Sequence, residues 1–166
     1  MARRISHSIV STQRGSTQVT YSFARIDLSK TNYSSDNVDW FYIKDLNPLM
    51  LDMLNDIYRT YCIYKHFASV MPIFPSRYTD PMTDVIGYRE EGRLVGFSLI
   101  KRYDEKNALC DQFAWTYHNP KTRLGIESMK AECAIYRARG FDYLYLEQAH
   151  LYKQQIDGFE LLGPLQ

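Results

Sequence analysis

The stretch Asp84–Tyr117, DVIGYREEGRLVGFSLIKRYDEKNALCDQFAWTY, decides the fold. Asp84–Arg89, Leu94–Tyr103 and Leu109–Tyr117 are rich in β-branched and aromatic residues, the composition of a pleated, half-buried surface. Glu90-Glu91-Gly92 and Asp104–Asn107 separate them with turn chemistry. Three strands joined by two short turns predict an antiparallel meander.

Working outward toward the C-terminus, HisAsnProLysThrArgLeuGly at 118–125 is a loop. Ile126, Met129, Cys133 and Tyr136 then recur at helical spacing, and Gly140 supplies the C-terminal stop. Phe141–Glu147 (FDYLYLE) predicts a strand, His150–Ile156 one or two helical turns, and Phe159–Leu162 a last short strand. Toward the N-terminus, MPIFPSRYTDPM at 71–82 is too rich in proline for a long helix and predicts a loop with one helical turn. Asn47-Pro48 is a helix start, with Asn as cap and Pro where its missing N–H costs nothing. Met50, Leu51, Leu54, Ile57, Tyr58, Tyr61 and Cys62 extend one apolar face over 48–66. Val38–Leu46 reads as a buried strand, and Ile5–Val10 with Val19–Ala24 as a hairpin about GlnArgGlySer at 13–16.

This order predicts one α/β domain with a mixed, mostly antiparallel sheet flanked by helices. The N-terminal hairpin and loop, 1–37, pack on a main domain of 38–166. The 166 residues fit one domain. An apolar fraction of 45% excludes a disordered chain. No apolar run reaches the length of a membrane span, so no membrane partner is expected. MARRISHSIVSTQRGS has a basic start with no apolar core behind it, so a leader is not expected. Three distant cysteines, Cys62, Cys110 and Cys133, suit neither a disulfide framework nor a zinc site. A reduced, cytoplasmic protein without metal is the expectation.

The net charge of +1 gives no general argument for a nucleic-acid binder. The charge is uneven, however. Arg3, Arg4, Arg14, Arg25 and Lys30 face only Asp27 in the first thirty residues, while Asp36, Asp39, Asp45, Asp52 and Asp56 face Lys44. The plain reading is a solvated basic tail.

Over roughly 38–162 the element order resembles the GNAT (N-acetyltransferase) fold. The second half is similar to the C-terminal domain of arginyl-tRNA–protein transferases, in Tyr117, Pro120, Leu124, Gly125, Tyr143, Tyr145, Tyr152 and Lys153. It departs from that family in its first 37 residues, which hold no cysteine. The resemblance implies an acyl- or aminoacyl-transferase with an amine acceptor. Its donor is acyl-CoA by the wider fold, or aminoacyl-tRNA by the closer likeness, with tRNA then a partner. The alternative is a catalytically silent binding module. The final strand usual in this fold is missing from the pattern, and an uncovered sheet edge would let that module form a homo-oligomer.

By the resemblance, the donor's phosphates sit at the start of the second helix, on Arg123, Leu124, Gly125 and Ile126. Unsatisfied amides and the positive end of the helix dipole stabilise an anion there. Glu127 stands where a small residue is usual, and its carboxylate opposes pyrophosphate. Transfer to an amine needs a base and an acid. Asp111, on one strand face with Phe113, Trp115 and Tyr117, is the candidate base, because aromatic surroundings raise a carboxyl pKa. Tyr152 is the candidate acid by the resemblance, and Glu147 and Gln148 end the strand that opens the site. Asp111 and Tyr152 are expected to meet in one cleft near Glu147. Cys62, Cys133 and Cys110 read as packing residues, and His118 and His150 as surface or capping histidines.

Overall fold

A computed structural model describes residues 21–67, 70–147 and 149–164. Ile5–Val10, Arg3, Arg4, Arg14 and Gln148 lie outside the described residues. Among the described residues, seven strands form one sheet: β1 (Tyr21–Asp27), β2 (Asp39–Tyr42), β3 (Thr83–Glu90), β4 (Arg93–Arg102), β5 (Asn107–Trp115), β6 (Tyr143–Leu146) and β7 (Phe159–Pro164). Their spatial order is β2-β3-β4-β5-β6-β1-β7. The β5–β6 pair is parallel and every other pair is antiparallel.

The meander forms as its sequence predicts, β3 and β4 turning at Glu91 and Gly92, both with positive φ. The first helix, α1 (Pro48–Tyr64), starts at the expected cap, where the Asn47 side chain accepts from the Met50 N–H at 3.0 Å. It buries Leu54, Ile57, Tyr58 and Cys62, each such side chain worth about 1.5–3 kcal/mol of apolar burial. It stops two residues short of the expected end, because the chain turns into a positive φ at His66. The proline-rich segment holds a single short helix, α2 (Pro75–Thr79). The second long helix, α3 (Leu124–Ala138), ends ahead of Gly140, which has φ +85°. His150–Ile156 is realised as a 3-10 turn over Leu151–Gln155.

Two cores result. Helix α3 covers one sheet face with Met129, Cys133 and Tyr136 against Ala24, Ile26, Ile86, Tyr88, Leu144 and Leu146. Helices α1 and α2 cover the opposite face of the meander, with Leu54, Ile57, Tyr58 and Tyr78 against Val85, Phe97, Leu99 and Ala114.

The expected missing strand is a correction. The place beside β6 is filled by β1, a strand from the N-terminal side, which pairs with β6 and with β7. Sequence order hides this, since β1 lies 116 positions before the strand it pairs with at Asp27↔Tyr143. The closure is specific. Arg25 and Lys30 each bond the Glu160 carboxylate at 2.8 Å, and the Asp27 N–H donates to Gly158 O at 2.8 Å. Gly158 has φ +76°, and a Cβ there would lie 2.3 Å from the Asp27 carbonyl oxygen. Only glycine fits this approach.

Candidate functional site

Strands β5 and β6 are paired only from Asn107↔Tyr143 to Cys110↔Leu146. Beyond Cys110, β5 continues to Trp115 without its parallel neighbour, and the sheet opens. The 3-10 turn Leu151–Gln155 brings Tyr152 and Lys153 to this opening. Tyr152 is half exposed as a residue, yet it lies close enough to Tyr117, Glu132 and Cys110 to feel each of them, and local desolvation of its phenol pushes it up to about 12. Lys153 is held below the ordinary lysine range by burial, against the upward pull of Cys110, Glu132 and Glu147. Its neighbour His150 stacks on Tyr152 at 5.8 Å and is lowered by burial and by Lys153 and Lys65.

Beneath the opening lies a polar cluster. Glu132 of α3 is 3% exposed, yet it is a carboxylate facing the sheet. It accepts from Tyr88 Oη at 2.6 Å and Ser98 Oγ at 2.5 Å, and its second oxygen faces Cys110 Sγ at 3.6 Å. The three partners come from β3, β4 and β5, so one side chain ties α3 to three neighbouring strands. Burial raises Glu132 above the usual carboxyl range, and its three donors pull it back. Burial likewise lifts the Tyr88 hydroxyl and the Cys110 thiol well above their usual values. Cys110 is therefore a neutral thiol in this cluster, and more than the packing residue its sequence position suggests.

Aromatic side chains form the wall toward α1. Tyr117, in the left-handed region at φ 54°, stacks on Tyr64 at 3.7 Å and on Tyr61 at 5.9 Å. Lys65 Nζ lies 5.7 Å from the Tyr117 ring centroid. A left-handed tyrosine is uncommon and clusters at sites where surroundings impose it.

Asp111 is not part of this arrangement. The β4–β5 register shifts, with Leu99 opposite Gln112 and Ile100 opposite Cys110, leaving Asp111 as the extra residue of a bulge. The bulge breaks the period-two alternation, so Asp111 does not share a face with Phe113 as expected. Its carboxylate turns to α2 and pairs with Arg77 at 2.5 Å, whereas Cys110 turns to α3. The expected meeting of Asp111 and Tyr152 is thus replaced by Tyr152, Lys153 and Glu132. Glu147 is exposed at the end of β6 and acts on Lys153 electrostatically.

The loop before α3 carries the residues expected to hold the donor's phosphates. Arg123 precedes the helix with φ 51°, and among the described residues no side chain caps the helix start. Its guanidinium donates to Gln155 at 3.0 Å, tying the loop to the turn that carries Tyr152 and Lys153. Leu124 and Ile126 are buried, so they can contribute only backbone there. A Cβ at Gly125 would meet nothing nearer than Phe113 at 3.7 Å, so packing does not demand glycine at this position. Glu127 is drawn to Lys130 at 3.0 Å.

A separate cleft of about 790 Å³ lies at the other end of the sheet, between Trp40, Tyr42, Tyr78, Asp84 and Arg139. None of the expected site residues lines it. Among the described residues, no group of three His, Cys, Asp or Glu is placed to hold a metal.

Several solved structures share this arrangement of strands and helices. The C-terminal domain of a lysylphosphatidylglycerol synthetase from Agrobacterium fabrum is similar with a TM-score of 0.62, at 13% identity over 78% of this chain and 47% of that one. A lysylphosphatidylglycerol synthetase (L-PGS) from Bacillus licheniformis gives 0.58, at 15% identity over 79% and 47%. A GCN5-related N-acetyltransferase from Anabaena variabilis gives 0.58, at 6% identity over 84% and 37%. The chain thus spans half or less of the length of these proteins. These likenesses establish the GNAT fold. No protein family and no curated protein matches the sequence itself.

Proposed function

We propose that the chain is an acyl- or aminoacyl-transferase that passes an activated acyl group to an amine at the opening between β5 and β6. The observation that supports it most is the convergence of Tyr152, Lys153, Tyr117 and Cys110 over the buried Glu132, at the one place where the parallel pair separates. The amine attacks the donor's acyl carbon, the C–N bond forms, and the bond to the leaving group breaks. The proton released by the attacking amine passes to Lys153 in its neutral form, which burial makes accessible. The Tyr152 hydroxyl stays protonated through neutral pH and gives a proton to the leaving group. Lys153 and Tyr152 are neighbours on one turn, so the proton returns from base to acid with little movement.

Aminoacyl-tRNA is the donor we favour. The residues similar to arginyl-tRNA–protein transferases include Tyr117, Tyr152 and Lys153, which meet at the opening. Two of the structural neighbours are named lysylphosphatidylglycerol synthetase or L-PGS, and the lysyl group in that name supports the same class. Acyl-CoA is the donor of the wider fold, and the uncapped start of α3 with an uncrowded Gly125 suits the phosphates of either. The cations available to a tRNA backbone are Lys121 and Arg123, with Arg3, Arg4 and Arg14 in the N-terminal segment.

Titration with charged tRNA at several salt concentrations tests this reading. Each phosphate contact contributes roughly 0.7–0.9 to the log–log salt slope. Substituting Arg3, Arg4 and Arg14 together by Ala weakens binding and flattens that slope. No tRNA binding at low salt removes this donor, and an unchanged slope in the triple variant removes the N-terminal arginines.

A further inference from the structure

Strand β2 is short, and it leaves the start of β3 uncovered. Their register runs from Asp39↔Arg89 to Tyr42↔Ile86, and one more bond, from the Ile43 N–H to Val85 O at 2.8 Å, ends the ladder. Because β3 begins at Thr83, Thr83 and Asp84 extend past their neighbour. Asn47-Pro48 turns the chain into α1 before it can cover them. The cleft of about 790 Å³ occupies this gap, between Thr79 and Asp80 at the end of α2 and the last turns of α3. That volume suits a small molecule.

Trp40 and Tyr42 alternate on β2, so they emerge on one face, and their rings meet edge to face at 5.4 Å along the cleft. Ile43, Leu46, Val85 and Ile135 add aliphatic surface. Four charged residues line it: Asp80, Asp84, Lys44 and Arg139. Both carboxylates are already engaged by the protein. Asp84 accepts from Tyr136 Oη and Arg139 Nη1, each at 2.5 Å, and Arg102 Nε lies 3.4 Å away. Asp80 accepts from the Met82 N–H at 2.8 Å and pairs with Lys101 at 3.4 Å. The nearby Asp36, Asp39 and Asp45 do not line the cleft, and they engage Ser34, Arg89 and Asn47. The cations keep free donors. Both bonds of Arg139 leave from Nη1, the second reaching Tyr42 Oη at 3.2 Å, so Nε and Nη2 carry no bond among the described residues. The guanidinium lies 4.8 Å from the Tyr136 ring centroid and 5.3 Å from that of Phe141, which fixes its plane. Lys44 is exposed and has no ion pair among the described residues.

We infer that this cleft binds a small aromatic carboxylate, its ring against Trp40 and Tyr42 and its anionic group on Arg139 and Lys44. The free Nε–Nη2 edge of a guanidinium offers two parallel donors, which match the two oxygens of a carboxylate. A neutral aromatic compound leaves both cations unpaired, and an aromatic amine places a further positive charge beside them. The inference is independent of the transferase reading, since no residue of the β5–β6 opening lines the cleft.

Amide NMR titration and calorimetry of the full chain test it, with β-naphthoate, β-naphthylmethanol and β-naphthylmethylamine as probes and no donor present. The expected result is saturable binding of the naphthoate, with shifts concentrated in Trp40–Lys44, Thr83–Val85 and Ala134–Arg139. The naphthoate should bind at least about tenfold tighter than the alcohol, and the amine should bind weakest. Lys44→Gln, at an exposed position, should weaken naphthoate binding about two- to fivefold and leave the alcohol unchanged. Arg139→Gln should weaken it at least about tenfold, with the circular dichroism spectrum checked because Arg139 also holds Asp84. No saturable naphthoate binding at millimolar concentration overturns the inference. So does an amine that binds as tightly as the naphthoate, or a naphthoate affinity unchanged in both variants. Naphthoate shifts concentrated at Cys110–Tyr117 instead assign the probe to the β5–β6 opening and equally overturn it.

Discussion

Replacing Glu132 probes the cluster beneath the opening, and its effect can be worked from the structure. The carboxylate is 3% exposed and accepts two short hydrogen bonds, from Tyr88 at 2.6 Å and Ser98 at 2.5 Å. Hydrogen bonds to a charged group contribute about 1.5–3 kcal/mol each. Two effects reduce the loss in Glu132→Ala. The cost of burying a charge disappears, and the Tyr88 and Ser98 hydroxyls, 3.1 Å apart, can bond each other. A net destabilisation of about 2–4 kcal/mol at neutral pH is the expected outcome in urea unfolding. The pH dependence is the sharper part. Burial raises the folded-state pKa of Glu132 above its ordinary value of 4.5. The folded state therefore holds this proton more tightly than the unfolded chain. Its contribution is fully present below the unfolded value and is lost as pH rises through the folded value. Glu132→Gln cannot titrate. Wild type should gain stability on Glu132→Gln as pH falls from 7.5 toward the ordinary value of 4.5, measured from paired urea curves. A difference that is flat across this range, or that grows as pH rises, refutes the raised carboxyl.

Lys153, followed by NMR of its reductively methylated amine, should titrate below the surface lysines, and further below them in Glu132→Gln; a pKa shared with the surface set contradicts its burial. Gly158→Ala, forced into a left-handed backbone 2.3 Å from the Asp27 carbonyl oxygen, should cost about 1–3 kcal/mol and lower the melting temperature, and an unchanged melt denies the β1–β7 contact. Gly125→Ala should leave stability within about 1 kcal/mol, because Phe113 at 3.7 Å is its nearest neighbour, while weakening donor binding. A large loss of stability at this position would make the glycine structural.

The fold was legible wherever local pattern and tertiary environment agree. The meander carries its own turns, α1 its own cap, and α3 its own glycine stop. The position of β1 was not, because its neighbours β6 and β7 lie more than a hundred residues away and no local signal encodes long-range order. The arrangement of the candidate site was legible in part. Tyr152, Lys153 and Tyr117 meet at the opening, whereas one inserted residue at Asp111 reverses the face on which the carboxylate emerges. A bulge leaves almost no trace in composition. Glu132 was the larger omission, and its signal was present. It lies beside Cys133 on the stripe of Met129 and Tyr136, and a carboxylate on an apolar helix face requires buried partners. Those partners, Tyr88 and Ser98, sit on separate strands, so their convergence needs the folded sheet.

Donor binding at the opening of β5 and β6 is tested most directly by amide NMR shift mapping during donor titration. Two donors serve: acetyl-CoA, and a tRNA acceptor-stem minihelix bearing a non-hydrolysable aminoacyl amide. The predicted result is saturable shifts with at least one donor, concentrated in Cys110–Tyr117, Leu124–Glu127 and His150–Lys153. Saturable shifts confined to the cleft of Trp40, Tyr42, Asp84 and Arg139, or no saturable shift with either donor, would contradict it.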